Sequence, residues 1–202
     1  MEKEFDEVEL QQALSSLTLW KQQLFLLLVC QRLLSGFYAF ADETGCQGKK
    51  ELSDLIEKAW NHLLQGITQS DLAEEQMQAE ALAPDTENYR SIYTSSALDA
   101  AVAISLLMQS FQDGQTDIIV QGVTLARDSV DMYVQELENM DAAAPDLENK
   151  ILKHPLMQQE LRRQREDLAW IVALNEDVKL SMQLAKDRFL NQHNGLFVEM
   201  KK

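Results

Sequence analysis

Glycine and proline are scarce in this chain, at 7 and 3 of 202 residues. A β architecture needs such punctuation at short intervals, so the scarcity excludes a turn-rich sheet protein and favours long helices. Cysteine is scarcer still. Cys30 lies in an apolar run and reads as a small buried hydrophobe, while Cys46 sits in a Gly-rich turn, so no disulfide framework is expected. Positive charge is also short: 18 Lys and Arg face 33 Asp and Glu, a net charge of −15. That balance repels a phosphate backbone, and no nucleic-acid partner is expected. The longest wholly apolar run, Leu24–Cys30, falls far short of the ~20 residues of a bilayer span. The opening MEKEFDEVE lacks the basic stretch and apolar core of an export signal. We therefore expect a soluble, cytoplasmic chain with no membrane partner.

Familiar catalytic patterns are missing as well. There is no GxxxxGK[ST] or GxGxxG to cradle phosphate, no GxSxG elbow and no HExxH. His62, His154 and His193 stand alone, without a cysteine at zinc-site spacing or an ExxH partner. No catalytic residue, cofactor or metal is assigned, and enzymatic activity would require an arrangement assembled only in three dimensions.

What is present is an apolar fraction of 46%, sufficient for a sizeable core, arranged with helical spacing. The reading is an all-α, single-domain bundle of about seven helices over residues 1–202. Asp6-x-x-Glu9 resembles a capping box for a first short helix. A second helix begins near Thr18 and ends at Gly45 and Gly48. Others are expected over Lys50–Leu64, Thr68–Ala83, from Ser95 or Ser96 to Gln112, and over Thr116–Met140. A last long helix should start at Pro155, its seam running through Met157, Leu161, Gln164, Leu168, Ile171, Asn175, Val178, Met182, Ala185 and Phe189 in steps of four and three. With Trp170, Leu174 and Leu184 the stripe is wider than one neighbouring helix can cover. Either the chain supplies two contacting helices or a homodimer supplies one. Arg162, Arg163 and Arg165 are followed at once by Glu166 and Asp167, which reads as a solvated, self-neutralising face.

Two charges sit where the chain should be most apolar. Arg32 follows seven apolar residues and precedes Leu33-Leu34, with Ser35 and Gly36 leaving room beside the guanidinium. It must either reach solvent along its stem or be buried with a partner. Asp99 precedes the run Ala100–Met108. Ser96-x-x-Asp99 is itself a capping box, and Asp99 also shares a face with Ile92, Ala103 and Leu106, where a carboxylate could meet Arg32.

Leu19-Trp20, Cys30-Gln31-Arg32, Thr44-Gly45, Ile92-Tyr93, Leu98-Asp99-Ala100 and Asn194-Gly195, in that order and spacing, resemble the YjaG-like family of bacterial helical proteins, a domain of unknown function. The resemblance runs nearly end to end and implies one helical domain. It marks Trp20, Arg32, Tyr93, Asp99, Asn194 and Gly195 as matching positions, and it brings no reaction, cofactor or partner. Gln31 and Thr94 depart from the pattern, where family members can carry an acid and a proline.

Two functional readings follow. One is a non-enzymatic helical protein acting through contact with another protein or with itself. The alternative is a small-molecule (anion) binder or enzyme with an inter-helix pocket around Arg32, Tyr93 and Asp99, to which Asn194 is added as a candidate polar position. A closed environment around Arg32 would favour the first, and a concave opening with Arg32 at its floor the second.

Overall fold

The computed structural model describes residues 7–65, 72–191 and 195–196. Among these it forms nine α-helices, one short 3-10 turn (Thr86–Asn88) and no strand. The helices are α1 (Glu7–Ser15), α2 (Leu19–Thr44), α3 (Lys49–Gln65), α4 (Leu72–Ala81), α5 (Thr94–Asp113), α6 (Thr116–Leu137), α7 (Leu147–Lys153), α8 (Pro155–Ala173) and α9 (Val178–Asn191). The all-helical class stands. The count rises from about seven to nine, because α7 lies between the helix expected to end at Met140 and the one expected to start at Pro155, and the long last helix is two helices. The expected capping residue Asp6, and Thr68, Ser70 and Asp71 before α4, lie outside the described residues.

α2 is the axis of the bundle. It has no proline, continues through Gly36, and stops where Gly45 adopts φ 76° and returns its N–H to the Ala41 carbonyl at 2.9 Å. That left-handed stop strains any residue with a Cβ. All seven residues Leu24–Cys30 are buried, which an amphipathic surface helix would not allow. Around them stand α3, α5, α6 and α8. Counting uninterrupted apolar residues understates this helix: its best 18-residue window has a mean hydropathy of 1.7, long and apolar enough to cross a membrane by length and composition. Its apolar side chains are instead taken up by neighbouring helices.

Small residues set how closely those neighbours approach. Ala97, Ala100, Ala101 and Ala103 of α5 are fully buried, letting α5 lie against both α2 and α6. On α6, a Cβ built on Gly122 would stand 2.6 Å from Leu26 Cδ1, so the α2–α6 crossing has no space for a methyl group there.

The seam read as one helix is broken by its own side chains. Leu174 leaves the helical region at ψ 141°. Asn175 Oδ1 then accepts from the Asp177 N–H at 2.9 Å, and Asp177 Oδ1 accepts from the Leu180 N–H at 3.1 Å, capping α9. Asn and Asp compete with helix hydrogen bonding in this way, and here the competition wins. Met157, Leu161, Leu168 and Ile171 are buried as α8 lies on α2 and α6, while Met182 and Ala185 are buried as α9 lies against α3. The seam's core residues are thus covered within the chain. Val172, Leu180 and Leu184 stay exposed.

Candidate functional site

Arg32 is 3% exposed, so it does not escape to solvent. Its partners come from α8, not α5. Nε and Nη2 donate to the two oxygens of Glu160 at 3.2 and 3.0 Å, and Nη1 donates to Asp167 Oδ2 at 2.6 Å. The Glu160 contact is the two-pronged geometry that a planar guanidinium offers a carboxylate. Glu160 and Asp167 are themselves buried.

α8 delivers these groups because Glu160, Gln164 and Asp167 follow one another at four and three residues, on one stripe facing α2. Gln164 Nε2 donates to Glu160 Oε1 at 2.9 Å. Asp167 Oδ1 accepts from Arg188 Nη2 of α9 at 3.2 Å, and the Arg188 guanidinium lies 5.2 Å from the Trp170 ring centre. Two guanidinia and two carboxylates therefore compensate one another across three helices. Burial works against the Arg32 charge, but Glu160 and Asp167 outweigh it and hold the guanidinium's pKa above its ordinary value.

The C-terminal segment meets the same turn of α2. The Leu196 N–H donates to Ser35 Oγ at 2.8 Å and to the Arg32 carbonyl at 3.3 Å, and Arg163 Nη1 donates to the Gly195 carbonyl at 2.9 Å. Leu196 is buried. Asn194 lies outside the described residues.

Asp99 does not meet Arg32, and it is not a capping residue. α5 starts at Thr94, two residues before the expected cap. Ser91 organises the entry, its Oγ accepting from the Tyr93 N–H at 3.1 Å while Thr94 Oγ1 donates to the Ser91 carbonyl at 2.8 Å. Ser96 is thereby drawn inside the helix and fully buried. Asp99 points at α6, where Ser129 Oγ donates to it at 2.6 Å. Burial pushes its carboxyl up to about 6, Asp128 adding to the shift and the Ser129 hydrogen bond opposing it. Tyr93 stacks on Tyr133, ring centres 5.4 Å apart. The sequence candidates thus divide: Arg32 belongs to an α2–α8–α9 cluster, and Tyr93 and Asp99 to the α5–α6 interface.

A second polar cluster ties α3 to α4: His62 Nε2 lies 2.8 Å from Glu75 Oε2, and Lys58 Nζ lies 3.3 Å from Glu75 Oε1. The Cys30 thiol, two residues before Arg32, is held well above its ordinary pKa by burial, which disfavours the thiolate. Among the described residues no group of three His, Cys, Asp or Glu side chains is placed to hold a metal ion. Three surface clefts are lined by residues of the α2–α3 junction, of α8 and of the segment before α5; neither Arg32, Tyr93 nor Asp99 lines any of them.

Glu160, Asp167 and Arg188 are the partners that sequence reasoning missed. The available signal was Gln164, a polar residue inside an apolar seam, flanked by acids at −4 and +3.

The molecule is thus an all-helical bundle with a largely buried ion cluster between α2, α8 and α9. A family model described as "Protein of unknown function (DUF416)" matches residues 9–192, and the chain belongs to that family. A crystal structure of a DUF416 family protein from Shewanella baltica OS155 shares the fold, with a TM-score of 0.80 and 23% identity over 89% of this chain and 92% of that one. No curated protein matches the chain.

Proposed function

We propose that this protein is non-enzymatic and acts through contact with another protein. The observation that carries the reading is the closure of the Arg32 cluster: this buried guanidinium is spent on Glu160 and Asp167 and lines none of the three clefts described above. An interior site built for a substrate would leave a donor or a nucleophile aimed into a cleft. The partner fits a basic surface. Glu136, Glu138, Asp141, Asp146 and Glu148 are exposed from the end of α6 into α7, where an approaching cation is steered by the net charge of −15. The free thiols Cys30 and Cys46 suit a reducing, cytoplasmic setting. The order of the Cys30-Gln31-Arg32, Ile92-Tyr93 and Leu98-Asp99-Ala100 motifs supports a YjaG-like, bacterial placement within the family.

The test is affinity capture at physiological salt with the wild-type chain and with Glu136→Gln/Glu138→Gln/Asp141→Asn. A stoichiometric basic protein held by the wild type and lost by the variant supports the reading. A metabolite whose turnover or binding depends on Arg32 overturns it in favour of the enzyme or anion-binder alternative.

A further inference from the structure

The sequence suggests that Arg162, Arg163 and Arg165 are neutralised on the spot by Glu166 and Asp167. The structure distributes these residues differently. Asp167 turns inward to Arg32 and Arg188, and Glu160, one turn earlier, is buried against Arg32. Both acids are therefore withdrawn from the outer face of α8. Arg162 is exposed and makes no hydrogen bond or ion pair with any described residue, so the expected pairing with Glu166 at i+4 is not formed.

What the withdrawal leaves is a cleft of about 420 Å³ lined by Pro155, Gln158, Gln159, Arg162, Arg163 and Glu166. Arg163 is half-buried along it. Burial lowers the pKa of its guanidinium, with the nearby Arg32 charge acting the same way and Glu160 and Asp167 opposing. Only one of its five N–H donors is spent on a described residue, on the Gly195 carbonyl at 2.9 Å. The Gln158 amide is spent on the Leu152 carbonyl at 2.8 Å. The guanidinia of Arg162 and Arg163, neighbours in sequence, with the Gln159 side-chain amide about one turn away, make a donor set suited to carboxylate or phosphate oxygens. Residues 151–202 sum to about +2 in a chain of −15, the one quarter of the sequence that is not acidic.

We propose that the α8 cleft binds the oxyanion head of a small molecule, with Arg162 and Arg163 as its ligands. Glu166, at the far end of the same stripe, disfavours an extended polyanion and suits a ligand carrying a hydrogen-bond donor beside its anionic head. Carboxylates and phosphates share this chemistry, and the probes separate them.

The experiment is isothermal titration of the full chain with citrate and, separately, with inorganic pyrophosphate at low ionic strength. It is repeated on Arg162→Gln and Arg162→Lys, with thermal melts confirming that the exposed substitutions leave the fold intact. At least one probe should bind with a dissociation constant near or below about 1 mM, and Arg162→Gln should weaken it by about tenfold or more, the lysine variant falling between. Citrate alone binding identifies a carboxylate ligand, and pyrophosphate alone a phosphate. The proposal is overturned if neither probe binds below about 10 mM, if Arg162→Gln leaves the affinity unchanged, or if a duplex DNA oligonucleotide binds more tightly than both.

Discussion

Arg32 and Asp167 lie 135 residues apart in the chain and 2.6 Å apart in the fold, each more than nine-tenths buried. A charge pair in that position has asymmetric energetics. Together the partners offset one another's desolvation; with one removed, the charges that remain buried no longer balance.

Removing one partner should therefore cost much more than removing the set. Asp167→Ala or Glu160→Ala is expected to lower stability by roughly 3–5 kcal/mol, because each leaves the buried guanidinia short of one carboxylate charge. The combined replacement Arg32→Met, Glu160→Leu and Asp167→Leu should cost less than either single change. Urea unfolding of the four proteins checks this, and additive losses would contradict it.

Asp99 sets a dependence on pH of unusual sign. Burial pushes its folded carboxyl up to about 6, above the ordinary carboxylate range, so the native state holds the proton more tightly than the unfolded chain. Below the unfolded pKa both states are protonated and no penalty exists. As pH rises from about 4 to 6 the penalty develops, reaching at most about 3 kcal/mol above that range. Asp99→Asn should accordingly stabilise the protein at pH 7, and the gain should vanish below pH 4. Thermal melts of both proteins across that window decide it.

Gly122→Ala should lose stability by about 1–3 kcal/mol, because its Cβ would meet Leu26 Cδ1 at 2.6 Å in a packed crossing. Leu26→Ala creates space at the same point. The double variant should be less damaged than the sum of the singles, a coupling that a denaturant double-mutant cycle measures.

Light scattering at two concentrations should return a mass near 23.0 kDa at both. The core of the seam that called for a second helix is met inside the chain by α2, α3 and α6. A doubled mass would overturn the monomer and make Val172, Leu180 and Leu184, exposed on α8 and α9, the first surface to substitute.

Much of this architecture was legible because helical spacing is local. α2, α3, α5 and α6 lie close to where apolar periodicity and the stop at Gly45 put them. The break at Asn175–Asp177 was visible as a polar interruption but misread, since one Asn inside a seam suits a coiled coil as well as a cap. Arg32 was legible as a residue that needed a counter-charge. Its partner was not, because Asp99 and Asp167 both follow helical patterns, and only the docking of α8 on α2 decides between them. The start of α5 was missed because Ser91, three residues outside the helix, organises the entry in place of Ser95 or Ser96.

The Arg32 cluster also ties the packing of an early helix to residues made late. α2 is complete early, yet the carboxylates that make its interior charge tolerable arrive more than a hundred residues later. Until α8 has been made, the best-packed position for α2 is one that its own sequence resists. The final quarter of the chain thus acts as a test of completeness, and an interrupted product ending at His154 should give no cooperative melt and should be cleaved rapidly in pulse proteolysis.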